Sequence, residues 1–283
     1  MRRPMRLAIT IGVAIVGLKL LVWWLEPRMA FFPLEGVQQT PAVFKLDFED
    51  VAIETADGET LHAWWLPAPE PRAQVIFWHG NGGNLALWLD VIAGLRRQDF
   101  SVLAVDYRGF GASTGRPSEQ GLYRDADAAL RVFEERLRTP GVPVIHWGRS
   151  IGAPVAAYTA SKAPPDALVL ESPFADVIAI IGRNPVMRFL HLFSSYRFPT
   201  SRFLEEYDGP LLVIHGDADR IIPFRAGRRV FEEARGTRKT FVPIPGADHN
   251  DLHLVNPVQY WRAIDAFVAA IEGRGAKQHP AAP

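Results

Sequence analysis

The 283-residue chain contains no cysteine. That excludes disulfides, thiolate metal sites and a cysteine nucleophile, and it suits an oxidising compartment. An excess of either charge is also missing, because 31 Lys and Arg are matched by 31 Asp and Glu. Nucleic acid therefore has no electrostatic footprint here. No Gly-, Ser- or Pro-rich linker divides the sequence, and no internal repeat runs through it. The eight histidines lack the spacing of zinc ligands, so neither a metal nor an organic cofactor is expected. With 48% hydrophobic residues the chain can fill a single large core but not two full domains.

One apolar run stands apart from that core. Residues 7–25, opening at Leu7 and closing at Leu25, are interrupted only by Thr10 and Lys19. As a helix the run measures about 28 Å, close to a hydrocarbon core of about 30 Å. Arg2, Arg3 and Arg6 precede it and Trp23 and Trp24 close it. The positive-inside rule then predicts a cytoplasmic N-terminus with the rest of the protein in a periplasm or lumen. Lys19 is near enough to the far end to snorkel. Two alternatives are a cleaved signal peptide, although the flank Glu26-Pro27-Arg28-Met29 has no small-x-small site, and a soluble protein whose first helix is buried.

The densest chemical signal is Gly148-Arg149-Ser150-Ile151-Gly152, a G-x-S-x-G pentapeptide. It lies between a short apolar strand candidate, residues 142–147, and an alanine-rich helix candidate, residues 153–163. A serine on such a turn has glycines to relieve crowding and leave its hydroxyl exposed. Alone, the pattern equally describes a glycine-flanked serine capping a helix. A serine hydroxyl is also a poor nucleophile without a base and an acid to orient it, in the chain order Ser, Asp or Glu, His.

Two downstream loops supply that order. After the apolar strand Leu211-Leu212-Val213-Ile214 come Asp217 and Asp219. After Thr240-Phe241-Val242-Pro243-Ile244 comes a loop carrying His249. Both would lie at the carboxyl ends of strands, where open α/β sheets place their chemistry. Asp219 reads as the orienting acid and Asp217 as a turn former. His249 is preferred to His253, which begins a helix face. His79 and His215 precede glycines at strand ends and read as buried architecture.

For the oxyanion, the N–H of Ile151 sits at a helix start. The second donor is expected from Asn81, or else Gly82, in the loop His79-Gly80-Asn81-Gly82-Gly83-Asn84. That loop matches neither G-x-G-x-x-G nor the Walker lysine pattern. In the run Asp106-Tyr107-Arg108-Gly109-Phe110-Gly111, Asp106 and Arg108 are expected to pair and brace the loop, and Ser118 to cap the helix that comes after it.

With Ser113, Gly115 and the Pro117-Ser118-Glu119 helix start added, these motifs resemble the bud-emergence type of membrane-tethered α/β-hydrolases over about residues 43–271. The resemblance implies an α/β-hydrolase fold, with a mostly parallel central sheet flanked by helices, and a triad of Ser150, Asp219 and His249. It implies no particular substrate, since relatives range from lipid and thioester hydrolases to aminopeptidases. The doubled glycine Gly82-Gly83 departs from the usual small residue plus glycine.

The expected organisation is a basic N-terminus and anchor over 1–28, a membrane-proximal linker over 29–42, a hydrolase domain over 43–272 and a disordered tail over 273–283. Within the domain, residues 172–209 are too long for a simple crossover and strongly apolar, and are broken at Gly182 and Pro185. They read as a lid of two short helices, with Phe174, Met187, Phe189 and Phe193 as substrate contacts. The other reading is that these side chains only cover the sheet. Beside a membrane anchor, an acyl chain is the natural occupant of an apolar groove. The expected partners are therefore a small-molecule or lipid-like acyl substrate and the membrane itself. The expected reaction is ester or thioester hydrolysis of the EC 3.1 type. An amidase or aminopeptidase would use the same residues, with Asp176, Glu205 or Glu206 offering an acidic pocket for an amine. A third possibility is a tethered binding protein that keeps the fold without activity.

Overall fold

Runs of β-branched and aromatic residues, bounded by glycine and proline, build the sheet at the centre of the molecule. The computed structural model describes residues 2–182 and 184–278. In chain order its elements are α1 (Arg2–Ala30), β1 (Phe32–Pro33), a 3₁₀ turn (Pro41–Phe44), β2 (Glu49–Glu54), β3 (Thr60–Leu66), β4 (Ala73–Trp78), β5 (Gly82–Gly83), a second 3₁₀ turn (Leu85–Trp88), α2 (Leu89–Arg97) and β6 (Phe100–Val105). Then come α3 (Glu119–Val132), extended by a π turn (Phe133–Leu137), β7 (Val144–Arg149), α4 (Gly152–Lys162), β8 (Ala167–Glu171), α5 (Val177–Ile181), α6 (Pro185–His191) and α7 (Thr200–Leu204). The chain continues through β9 (Leu211–Gly216), α8 (Phe224–Glu233), β10 (Lys239–Ile244), α9 (Leu252–Val255) and α10 (Pro257–Gln278).

The eight-stranded sheet has the order β10-β9-β8-β7-β4-β6-β3-β2, parallel from β10 to β6 and antiparallel at β3 and β2. Every residue of β4, β6, β7, β8 and β9 is buried, as a parallel sheet covered on both faces requires. Ile76 and Trp78 of β4 face a core shared with α3, α4 and α8. Val75 and Phe77 face the other core, with α2 and α10. This is the mostly parallel, helix-flanked architecture that the sequence motifs imply. The chain goes from β4 to β6 on one side and returns to β7 on the other, so the crevice between the ends of β4 and β7 is a topological switch point.

Local capping agrees with the sequence. Ser118 Oγ accepts the Gly121 N–H at the start of α3. Asn84 caps the 3₁₀ turn that leads into α2. Three expectations shift. Residues 29–42, expected as a membrane-proximal linker, are strapped to the domain, because α1 continues to Ala30, β1 pairs with β5 and Glu35 bridges to Gly111. The expected tail is helical from Gly273 to Gln278, and residues 279–283 lie outside the described residues. The insertion at 172–209 holds three helices. Of these α7 buries Thr200 and Leu204 and belongs to the scaffold, whereas α5 and α6 bury no residue.

His146, at the centre of β7, carries a consequence for stability. Burial pushes its imidazole down to about 3, and it is neutral in the fold. Thr159 Oγ1 donates to the Ala156 carbonyl, so His146 Nδ1–H donates to Thr159 Oγ1 at 2.9 Å. A histidine held below its unfolded value contributes stability that is complete above about pH 6.5 and is lost as pH falls toward 3. Denaturation curves should therefore shift by about 1.4 kcal/mol per pH unit in that window. A His146→Leu variant, which has no proton to take up, should show a flatter dependence. Equal slopes in the two proteins would show that His146 is not the group responsible.

Candidate active site

The loops at the carboxyl edge of the sheet converge on one crevice, and the serine turn is its most constrained part. Ser150 has φ +54°, in the left-handed region that costs a residue with a Cβ about 1–3 kcal/mol. The turn is held by Ser150 N–H donating to the Glu171 carbonyl and Ala153 N–H donating to the Ser150 carbonyl, each at 2.9 Å. The two glycines serve close approach. A Cβ on Gly148 would lie 2.2 Å from the Gly152 carbonyl oxygen, and one on Gly152 would lie 2.1 Å from the Trp78 carbonyl oxygen. The turn is thus packed directly onto β4.

The fold brings Ser150, His249 and Asp219 into one chain of hydrogen bonds. Ser150 Oγ lies 2.9 Å from His249 Nε2, and His249 Nδ1 lies 2.7 Å from Asp219 Oδ2. Since the ionised carboxylate only accepts, His249 carries its proton on Nδ1 and leaves Nε2 free to accept from the serine. Asp219 Oδ1 accepts the backbone N–H groups of Ile221 and Ile222 at 2.9 and 2.7 Å. Burial works to raise the Asp219 carboxyl, but hydrogen bonds from His215 and His249 and from the Ile222 N–H outweigh it and hold the group well below the usual carboxylate range.

Neighbouring groups fix these loops. Asp217 Oδ1 accepts the Gly246 N–H at 2.7 Å, joining the aspartate loop to the histidine loop. His253 lies in α9, with burial lowering its imidazole. Asp106 and Arg108 do not pair with each other. Asp106 sits beneath the Gly111 turn, where it takes the Leu85 N–H and faces His62 and His79. Arg108 reaches the other way, to Asp125 and Asp57.

Two residues beside Ser150, His249 and Asp219 have a larger part than their sequence context suggested. His215 Nε2 lies 3.0 Å from the Ile222 carbonyl and 3.3 Å from Asp219 Oδ2, so its N–H faces the acid from behind. The fully buried Arg149 donates from Nη1 to Glu171 Oε2 at 2.7 Å and from Nη2 to the His249 carbonyl at 2.9 Å. Glu171 Oε1 also accepts from Trp147 Nε1 and the Tyr260 hydroxyl, at 2.8 and 2.6 Å. The sequence held a signal for this pair: Arg149 and Glu171 each end a strand, and those parallel strands are neighbours in register.

Above Ser150 lies a cavity of about 540 Å³. Asn81 and Ile151 both line it, and neither spends its backbone N–H on a turn or loop hydrogen bond among the described residues. Of the expected lid contacts, Phe174 and Met187 line the cavity and Phe189 and Phe193 do not. Helical spacing explains the split, because Met187, Leu190, His191 and Ser194 share the cavity-facing side. Phe189 and Phe193 pack edge-on at 5.6 Å elsewhere, with Phe189 54% exposed. Asp176, Glu205 and Glu206 are not in the lining, and Asp176 Oδ1 caps α5 through the Ala179 N–H. The lining instead includes a part of the molecule that the sequence sets apart from the domain, the end of α1.

Comparison with known proteins agrees with this architecture. The family described as serine aminopeptidase, S33, matches residues 69–209. The chain is similar to the uncharacterized protein Rv2307c of Mycobacterium tuberculosis, with 32% identity over 274 residues covering 95% of this chain and 96% of the relative. It is also similar to the alpha/beta hydrolase domain-containing protein WAV2 of Arabidopsis thaliana, 29% identical over 276 residues and 89% of each chain. Among solved structures, the esterase Pf2001 of Pyrococcus furiosus superposes with a TM-score of 0.72 at 21% identity, covering 86% of this chain and all of that one. At that identity the likeness is one of fold.

Proposed function

The chain belongs to the α/β-hydrolase superfamily, and from that premise we propose that it is a serine hydrolase cleaving carboxylic ester or thioester bonds of apolar acyl substrates. The observation that carries this reading is the hydrogen-bonded chain from Ser150 through His249 to Asp219, opening into a mainly apolar cavity. In this mechanism Ser150 Oγ attacks the acyl carbonyl as His249 Nε2 takes its proton. The tetrahedral oxyanion is held by the N–H groups of Ile151 and Asn81, and collapses as His249 returns the proton to the leaving alcohol or thiol. Water then attacks the acyl-enzyme by the same route in reverse. Asp219 keeps the imidazole in its tautomer and stabilises the imidazolium.

Among the described residues one helix, Arg3–Ala30, is long and apolar enough to cross a membrane. We read it as a single-pass anchor with the N-terminus cytoplasmic and the domain on the periplasmic or lumenal side, on the basis of the arginines before it. The amidase reading uses the same triad and is favoured by the name of the matching family. Against it, the carboxylate in the cavity lining is Glu26, which is already bonded to Ser195.

The test is labelling by a fluorophosphonate, and then hydrolysis of an ester series of rising chain length. Labelling of wild type should vanish in Ser150→Ala and fall in His249→Ala, and activity should rise from short to medium acyl chains. Folded wild type that resists the probe would make the protein a tethered binding protein. Activity indifferent to chain length would remove the apolar acyl site.

A further inference from the structure

The acyl cavity is not enclosed by the hydrolase domain alone. Leu21, Val22, Leu25 and Met29 of α1 line it together with Met187 and Leu190 of α6. Leu21, Val22 and Leu25 belong at the same time to the apolar run that is long enough to cross a bilayer. The cavity wall therefore begins about 6 Å before the apolar end of the span, four residues at 1.5 Å each. That is inside the depth the acyl tails of a bilayer would occupy.

The join between span and domain is built, not incidental. The Glu26 carboxylate accepts the Ser195 N–H and hydroxyl at 3.0 and 2.9 Å, fixing α1 to the segment just after α6. Phe31 packs edge-on against Tyr196 and Phe198 at 5.7 and 6.3 Å. Asn81 Nδ2 donates to the Ala30 carbonyl at 2.6 Å, and the same Asn81 is the residue assigned to the oxyanion. The end of the span is thus tied to the reacting centre through one side chain. Val186 and Phe189 of α6 and the adjoining Leu192 are exposed by 59%, 54% and 74%. This apolar face lies on the helix that shares the cavity lining with α1, and the surface that would cover it at no cost to solvation is the bilayer.

We propose that the last turns of α1 form part of the acyl-binding site, and that the substrate is a bilayer-resident acyl chain that enters sideways, between α1 and α6, without leaving the membrane. The proposal rests on the ester or thioester hydrolase reading and adds the source and route of the substrate. Leu25 and Met29 become determinants of specificity for long chains. The triad and the oxyanion groups still serve any ester that reaches them.

The experiment uses full-length protein in phosphatidylcholine vesicles with two probes, 4-methylumbelliferyl butyrate and 4-methylumbelliferyl palmitate. Palmitate ester in the same vesicles as the protein should be cleaved at least about tenfold faster than the same ester in separate, protein-free vesicles. Leu25→Trp, which fills the wall, should lower kcat/KM for the palmitate ester at least about tenfold, the scale of one methylene-sized misfit in an apolar pocket. The readout is the palmitate-to-butyrate ratio of kcat/KM, which should fall severalfold whatever the variant does to either ester alone. If Leu25→Trp loses labelling through misfolding, Met29→Trp on the same wall is read instead. Equal palmitate cleavage from same and separate vesicles, or a labelled wall variant that lowers both esters alike or neither, overturns the lateral route and leaves the hydrolase standing. Wild type that cleaves neither ester overturns the hydrolase reading and this route with it.

Discussion

Replacing Asp219 by asparagine is expected to lower kcat by about 10⁴-fold while the protein stays folded. The size of the effect comes from the donors around the carboxylate. Oδ1 accepts two backbone N–H groups, from Ile221 and Ile222, and Oδ2 faces the N–H groups of His249 and His215. An asparagine has one oxygen to offer these two sides. If the oxygen stays with the backbone, its NH₂ points at His249 Nδ1 and forces that nitrogen to become the acceptor. The proton then sits on Nε2, facing Ser150, and the imidazole no longer acts as a base. The flipped amide would set its NH₂ against two backbone donors in a buried site, which is costlier still. Asp217→Asn is the matched control, since among the described residues Asp217 Oδ1 accepts the Gly246 N–H and no other donor, a bond that an amide oxygen also makes. Steady-state kcat on a short ester, with thermal midpoints as the folding check, decides the matter. A loss under about tenfold in Asp219→Asn would mean that Asp219 does not orient the histidine.

Ser150, Asp219 and His249 are readable in the sequence because each sits where a strand ends. A buried parallel strand is a short apolar run, and the residues after its last apolar position form a loop at the carboxyl edge of the sheet. All three can therefore be assigned to one edge without coordinates. The features that the sequence hides have a common physical cause. Long-range side-chain contacts, such as Arg149 to the His249 carbonyl or Glu26 to Ser195, leave no periodic trace. Size alone singles out Phe189 and Phe193 as lid contacts. In a helix, direction decides, and these two project from a different side than Met187 and Leu190. The first helix is legible as a candidate span from its length and composition, yet nothing in an apolar run says that its last turns will wall a cavity.

Arg149→Met should destabilise the protein by about 3–5 kcal/mol, the usual result of removing one partner from a buried ion pair. Met approximates the length of the stem, so the loss is mainly that of the charge and its hydrogen bonds. Glu171 keeps the Trp147 and Tyr260 donors but has its charge left without a cation in a site with no solvent access. The double variant Arg149→Met/Glu171→Leu removes the stranded charge, so it should be more stable than the sum of the two single changes predicts. It should not return to wild type, because Trp147 Nε1 and the Tyr260 hydroxyl are then buried donors without a partner, each costing about 1–3 kcal/mol. Urea denaturation in detergent micelles measures both comparisons. Activity adds a separate readout: Arg149 Nη2 holds the carbonyl of His249 itself, so kcat at a temperature where the variant is fully folded should still fall. A variant that is destabilised but retains wild-type kcat would show that the His249 loop is held without the arginine, by contacts such as Asp217 to Gly246, Ala218 to Ala247 and Arg220 to Asp248. If both stability and kcat fall, the arginine inside the serine pentapeptide is what links the nucleophile turn to its base.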